Sequence, residues 1–141
     1  MIKVIVAALL LTALTVIIHG IGTVYFSRRM QRLWAARRDK PRHLVAELFL
    51  VARFISALLL LHLSEAVVWA LFYLFQGLFP TLEAAAYFSL TSYATLGYGD
   101  VVLAPPWRLL GPLEASVGVL VFGWSTGVLI AVLGKVYRQE P

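Results

Sequence analysis

The sequence predicts an all-α membrane protein with three transmembrane helices and one short re-entrant helix. Hydrophobic residues make up 61% of the 141 residues and charged residues only 13%, whereas soluble domains contain about 45–50% apolar residues. The apolar residues form three runs, each long enough to cross about 30 Å of hydrocarbon as a helix. Most charged residues lie between these runs, as expected of loops and helix ends outside the bilayer.

The first apolar run predicts an N-terminal transmembrane helix over residues 1–26. A cleaved secretory signal is the alternative, because Lys3 precedes the run. The run is longer than the usual apolar core of about 7–15 residues, and no small-x-small cleavage site closes it. Arginines do not recur at every third position in this run, which argues against a voltage sensor.

Residues 27–43 are predicted to form a basic cytoplasmic loop, with seven Lys or Arg against one acid. By the positive-inside rule, the N-terminus lies outside and the C-terminus is cytoplasmic in a multi-pass plasma-membrane protein. Trp34 predicts either a short interfacial helix or a solvated loop. Anionic phospholipid headgroups are the expected partner of residues 28–42. Nucleic acid is not expected, because the loop is tethered to the membrane at both ends.

Residues 44–79 are mostly apolar and too long, as one helix, for a perpendicular crossing. We expect residues 44–53 to form a cytoplasmic or interfacial extension and residues 54–76 to cross the membrane. Pro80 ends this segment.

A re-entrant helix is predicted over residues 81–93. Thr81 can cap its first turn, and Glu83 complements the positive end of the helix dipole. Thirteen residues cannot span the bilayer. After a proline-rich outer turn, residues 113–136 form the last predicted membrane helix, with Pro112 in its first turn.

Between these helices, residues 95–100 read Thr-Leu-Gly-Tyr-Gly-Asp, with glycine at alternate positions. Glycine takes left-handed backbone angles at little cost. Gly97 and Gly99 therefore allow the carbonyls of residues 95–98 to point the same way. Four such ladders around one axis would replace the water shell of a dehydrated monovalent cation.

The segment 87–100, YFSLTSYATLGYGD, resembles the pore helix and selectivity filter of the tetrameric potassium-channel superfamily. The resemblance covers roughly residues 51–136 and leaves out the first 43. It implies that residues 44–141 form the pore domain, with an outer helix, pore helix, filter and inner helix. The usual filter has valine where this chain has Leu96, and a branched aliphatic side chain should be tolerated there.

The resemblance implies a homotetrameric potassium channel, not an enzyme, with potassium ions in the filter and no organic cofactor. Two alternatives remain open: a non-selective cation channel and a non-conducting accessory subunit. Tyr98 argues against the first and the complete filter against the second. Because few residues follow Val136, no cytoplasmic ligand-binding domain is expected.

The resemblance also assigns roles to residues around the filter. Asp100, at the outer mouth, either concentrates cations or forms a hydrogen bond behind the filter. Tyr98 is expected to pack against the pore-helix residues Tyr87 and Phe88. The filter itself is Thr95, Leu96, Gly97, Tyr98 and Gly99, with potassium bound at Thr95, Leu96, Gly97 and Tyr98.

On the inner helix, Gly118 and Gly123 are candidates for a gating hinge. The alternative is close helix packing, for which small residues are also used. Ser125 and Thr126 are expected to line the cavity, and Glu114 is a candidate support for the pore helix.

Three ionisable residues, His19, His62 and Glu65, lie within the membrane runs. His19 and His62 are at matched depth, each nine residues from the nearest arginine at the cytoplasmic side. His62 and Glu65 share a helix face at i, i+3. We therefore expect a polar cluster between the first two helices, which acts either in proton-sensitive gating or as a static hydrogen-bonded link.

Overall fold

The computed structural model describes the backbone of residues 1–37 and 43–137 and the side chains up to residue 134. Part of the predicted basic loop, residues 38–42, therefore lies outside the described residues. The described chain forms four helices and no strand: α1 (Ile2–Ala35), α2 (Leu44–Phe75), α3 (Leu82–Tyr93) and α4 (Leu110–Tyr137). Helices α1 and α2 and the segment Trp107–Gly134 are long and apolar enough to cross a membrane. The predicted fold class is confirmed.

Helix α1 differs from the prediction, because it continues past residue 26 to Ala35 without a break. Residues 27–35 are thus neither a loop nor a separate interfacial helix. Arg, Met, Gln, Leu and Ala, which fill most of this stretch, are good helix formers. One face of the extension is also buried, where Met30 packs in an apolar cluster with Leu50, Phe54 and Val132. The indole of Trp34 donates to the sulfur of Met30 at 3.1 Å.

Helix α2 runs unbroken from Leu44 to Phe75 and includes the predicted extension. It ends in a turn rather than at Pro80. Gly77 there has φ +67°, a left-handed angle that suits glycine after a helix C-terminus. The amide of Leu78 returns a hydrogen bond to the Tyr73 carbonyl at 3.0 Å, which closes the helix.

Helices α3 and α4 begin with the predicted sequence signals. The Thr81 hydroxyl accepts a hydrogen bond from the Ala84 amide at 3.2 Å, as an N-cap does. Helix α4 begins at Leu110, three residues before the predicted start and just after a short 3₁₀ turn, Trp107–Leu109. Pro112 is tolerated because the amides of a first helical turn need no intrahelical partner.

The short helix α3 packs between α2 and α4, and α1 packs against both long helices. Trp69 and Tyr73 of α2 and Leu110 of α4 are fully buried in the resulting core. Helix α1 contributes Val4, Ala8 and Leu11 to the same core. Its Thr15 hydroxyl also accepts a hydrogen bond from the Trp69 indole at 3.0 Å. The first helix is therefore an integral part of the folded chain.

Candidate filter and its supporting polar networks

The loop after α3 has a regular alternation of backbone angles. Thr95, Gly97 and Gly99 have φ of +59°, +56° and +76°. The two glycines take the left-handed angles that their spacing predicts, and Thr95 takes one without being glycine. Such an angle costs an ordinary residue about 1–2 kcal/mol, so the surrounding structure must hold Thr95 in place.

Backbone hydrogen bonds supply this restraint by tying the loop to the last turn of α3. The Thr95 amide donates to the Ser92 carbonyl at 2.9 Å, and the Leu96 amide donates to the Thr91 carbonyl at 2.9 Å. The Gly97 amide donates to the same Thr91 carbonyl at 3.3 Å. The position of α3 therefore sets the position of the loop.

The loop lies on the surface of the single chain. Leu96 is 55% exposed and Tyr98 66% exposed. Apart from the adjoining residues, no described atom lies within 4 Å of where a Cβ would be at Gly97 or Gly99. A cavity of ≈ 390 Å³ lies beside the loop and is bordered by both Phe88 and Tyr98. The expected packing of Tyr98 on Tyr87 and Phe88 stays a prediction.

Tyr87 and Phe88 have different surroundings. The Tyr87 hydroxyl donates to the Asp100 carboxylate at 2.6 Å, and the role of Asp100 at the outer mouth stays a prediction. This hydrogen bond, together with the nearby negative charge, raises the pKa of the Tyr87 phenol. Phe88 is buried, with its ring centroid 5.2 Å from those of both Tyr73 and Phe79. Tyr87 thus contacts the end of the loop, and Phe88 anchors α3 to the core.

A first buried polar network joins α2, α3 and α4 around Glu114, which is 0% exposed. The Tyr73 hydroxyl donates to Glu114 at 2.7 Å. The Ser89 hydroxyl contacts both Glu114, at 2.5 Å, and the Ala66 carbonyl, at 2.7 Å. Glu114 therefore links α4 to α2 and to α3 through these hydroxyls, and its role as a support for the pore helix stays a prediction.

We expect Ser89→Ala to destabilise the protein by about 1–3 kcal/mol, because Glu114 and the Ala66 carbonyl lose a buried partner. Thermal unfolding of the purified protein in detergent measures this change. Ser116→Ala is the matched control, since the exposed Ser116 bonds only a carbonyl of its own helix among the described contacts. Equal stability of the two variants would contradict the role of Ser89.

The backbones of the inner helix and α3 lie close together at Gly118. A Cβ at this position would lie 2.1 Å from the carbonyl oxygen of Tyr93, the last residue of α3. Among the described residues, nothing outside the helix's own backbone lies within 4 Å of a Cβ at Gly123. Close packing therefore requires the small size of Gly118, whereas no contact in the described part of the chain requires that of Gly123. The hinge role of either residue stays a prediction.

A second buried network brings together the three ionisable residues singled out in the sequence. His19 Nδ1 lies 2.9 Å from Glu65 Oε1, and His62 Nδ1 lies 3.4 Å from Glu65 Oε2. Ligand atoms of all three residues lie within 4.8 Å of one another. These nitrogen and oxygen atoms could bind a metal ion only if the hydrogen bonds that already pair them were broken.

Two members of this network were not predicted as such. Tyr93, at the end of α3, donates its hydroxyl hydrogen to Glu65. Ser125 of α4, expected in the cavity wall, is only 7% exposed and lies 2.9 Å from His62 Nε2 and 3.3 Å from His19 Nε2. The membrane depth of Ser125 was a possible signal, but the rotation of α4 about its axis could not be read from the sequence.

The fold and this site define a class of protein. The sequence profile of the family described as "Ion channel" matches residues 54–135, which is more than half of the chain and includes α3, the loop and most of α4. The chain therefore belongs to this ion-channel family, within the potassium-channel superfamily of pore-loop proteins, and not to a family of enzymes.

One relative lies within the same superfamily. Over 63 residues the chain is 35% identical to the potassium voltage-gated channel protein shk-1 of Caenorhabditis elegans. The match covers 44% of this chain and 12% of that protein, so the chain corresponds to a small part of its relative. No solved structure matches the chain.

Proposed function

We propose that the protein is a potassium-selective channel that conducts passively as a homotetramer. The observation that carries the proposal is the alternation of positive φ at Thr95, Gly97 and Gly99 in the loop that follows the short helix α3. Alternating angles of this kind direct successive carbonyls to one side. The carbonyls of residues 95–98 would then replace the hydration shell of a potassium ion.

The same loop supports the proposal of a fourfold assembly. Each chain carries one copy of the segment, and one ladder of carbonyls cannot surround an ion. Leu96 and Tyr98 are largely exposed in the single chain, and non-helical backbone at membrane depth persists only where protein or water covers it. Neighbouring subunits supply that cover in the proposed tetramer.

The proposed channel lies in the plasma membrane with its N-terminus outside. Helices α1, α2 and α4 run in alternating directions, because the end of α1 and the start of α2 share a cluster with Val132 near the end of α4. Arg28, Arg29 and Arg32 lie at this end. The positive-inside rule makes it the cytoplasmic end.

Ion flux from the purified protein in liposomes, with potassium and sodium gradients compared, tests the proposal. Potassium flux that barium blocks, with sodium excluded, is the expected result. Equal flux of both ions would identify a non-selective cation channel. Folded protein without flux in every lipid tested would instead identify an accessory subunit.

We also propose an anionic phospholipid as a partner of α1. A groove of ≈ 860 Å³ lies between α1 and α4. At one end it is lined by Arg28, Arg29 and Arg32 of α1. Its apolar lining includes Ile21 of α1 and Trp124 of α4. An apolar groove with three cations at the expected headgroup level fits a lipid with a negatively charged headgroup. Each cation near the membrane surface contributes about 1 kcal/mol to such binding.

Replacement of all three arginines by glutamine is therefore expected to weaken anionic phospholipid binding roughly a hundredfold. Mass spectrometry of the lipids that copurify with the protein measures the loss. Arg53→Gln, an exposed arginine of α2 outside the groove, is the control. An unchanged lipid content in the triple variant would rule out this site.

A further inference from the structure

Five side chains from all four helices form a closed ring of hydrogen-bond contacts inside the fold. Glu65 contacts His19 Nδ1 at 2.9 Å, and His19 Nε2 lies 3.3 Å from the Ser125 hydroxyl. The same hydroxyl lies 2.9 Å from His62 Nε2, and His62 Nδ1 lies 3.3 Å from the Tyr93 hydroxyl. Tyr93 closes the ring by donating to Glu65. All five side chains are buried.

The ring has five contacts, and each of them needs one hydrogen. Two neutral imidazoles and two hydroxyls carry four hydrogens, and an ionised Glu65 carries none. A closed ring therefore holds one additional proton, which makes it neutral overall. The proton resides either on Glu65 or on a histidine, and every contact is satisfied in both cases.

Without this proton, one contact would join two acceptors and the ring would carry a negative charge. The Ser125 hydroxyl faces the Nε2 atoms of both histidines, so it donates its one hydrogen to one of them and must accept from the other. Four hydrogens cannot satisfy this arrangement and the three remaining contacts at once. A buried charge and an unsatisfied acceptor are both unfavourable. Loss of the proton therefore separates at least one pair of side chains.

We propose that this ring is a binding site for a single proton, and that the bound proton holds α3 and the filter loop in their conducting position. Tyr93 is the link, because it is the last residue of α3 and lies two residues before Thr95. The Tyr93 hydroxyl belongs to the ring, and its carbonyl packs against Gly118 of α4. The effect on flux rests on the proposed channel function, whereas proton binding does not.

Among the described residues, two titratable groups other than the histidines face the ring: Glu65 on α2 and Tyr93 on α3. Helix α1 contributes His19 itself. Helix α4 contributes only uncharged groups, the Ser125 hydroxyl and the rings of Phe122 and Trp124. Glu114 on α4 is the other buried acid among the described residues, and it bonds Tyr73 and Ser89 rather than a member of the ring. An experiment must therefore distinguish the effect of Glu65 on the pH dependence from that of Glu114.

Two variants lock the ring in opposite states. In Glu65→Gln, the carboxamide brings two N–H hydrogens, and one of them completes the five contacts without a titrating proton. In Ser125→Ala, the bridging hydroxyl is absent, so the ring stays open at every pH. A merely structural network would make both variants less stable but would not give them opposite pH-independent behaviour.

Potassium flux in liposomes, measured from about pH 5 to pH 9 where histidines titrate in proteins, tests the proposal. We expect wild-type flux to fall about tenfold or more as pH rises, which corresponds to one lost hydrogen bond of a charged group. Glu65→Gln should show, at every pH, the high flux that the wild type has at low pH. Ser125→Ala should show, at every pH, the low flux that the wild type has at high pH. Glu114→Gln, in the other network, should retain the wild-type pH dependence.

Nitrogen-15 NMR of the histidines in a His43→Gln background measures the proton independently of flux. We expect one proton to leave the ring as pH rises in the wild type and none to leave in Glu65→Gln. Histidine signals that stay unchanged over this range would overturn the proton site. A proton that titrates without changing an existing potassium flux would overturn the coupling. Titration without flux at any pH would contradict the channel function and leave the site intact.

Discussion

Replacement of Gly99 by alanine is expected to abolish selective potassium flux while leaving the helices intact. Gly99 has φ +76°, where an ordinary residue costs about 1–2 kcal/mol. Four subunits would share one filter, so the cost amounts to about 4–8 kcal/mol per tetramer. Open space surrounds the glycine within the chain, so the loop can relax to another conformation and lose its alternation. Liposome flux measures the loss, and circular dichroism measures helix content.

Gly77→Ala is the matched control for this prediction. Gly77 also has a positive φ, +67°, and a Cβ there would meet no described atom within 4 Å apart from its chain neighbours, but it lies in the turn after α2. Its replacement should cost about 1–2 kcal/mol of stability per chain and leave ion selectivity unchanged. Normal selective flux in Gly99→Ala, or lost selectivity in Gly77→Ala, would contradict the filter assignment.

Replacement of Gly118 by alanine is expected to prevent the native packing of α4 on α3. The new Cβ would lie 2.1 Å from the Tyr93 carbonyl oxygen and 3.0 Å from the Tyr93 carbonyl carbon. Both are backbone atoms that no rotamer change can move, so the two helices must separate. The separation would displace the end of α3 to which the filter loop is bonded. We expect the free energy of unfolding to fall by about 1–3 kcal/mol, as for other overpacked positions, and the flux to be lost.

Gly123→Ala provides the comparison on the same helix. Outside its own helix backbone, no atom of the described chain lies within 4 Å of the Cβ that this alanine would add, and alanine favours a helix interior over glycine by about 1 kcal/mol. The variant should therefore be at least as stable as the wild type in thermal unfolding. Unchanged stability with reduced flux would favour the hinge predicted at Gly123. Wild-type stability of Gly118→Ala would show that the close approach to Tyr93 is not required.

Much of this protein could be predicted from local sequence patterns. The length of the apolar runs predicts the membrane helices, since the thickness of hydrocarbon sets how many apolar residues a crossing needs. Thr81 marks the start of α3 because its hydroxyl satisfies an amide of the first turn. Gly97 and Gly99 predict the alternating backbone because their conformational freedom is a property of the residue itself. Each of these signals acts over a few neighbouring residues.

Helix ends were predicted less well. Residues 27–35 were expected outside α1, because their arginines marked the end of the apolar run. Helix α1 continues through these residues in the structure, because burial of Met30 against α2 stabilises the helical conformation and arginines do not break a helix. The left-handed angle of Thr95 was not predicted either, because threonine has no local preference for it.

Local sequence patterns specify a helical membrane protein with a pore-loop segment, because hydrophobic length, capping and glycine spacing are properties of short stretches. The packing of the helices, by contrast, places Tyr93 and Ser125 beside His19, His62 and Glu65, and Ser89 beside Glu114. These contacts join residues 25 to 106 positions apart, and they depend on how each helix is rotated about its axis. The rotation results from the packing of all four helices together, which no single stretch of the sequence specifies.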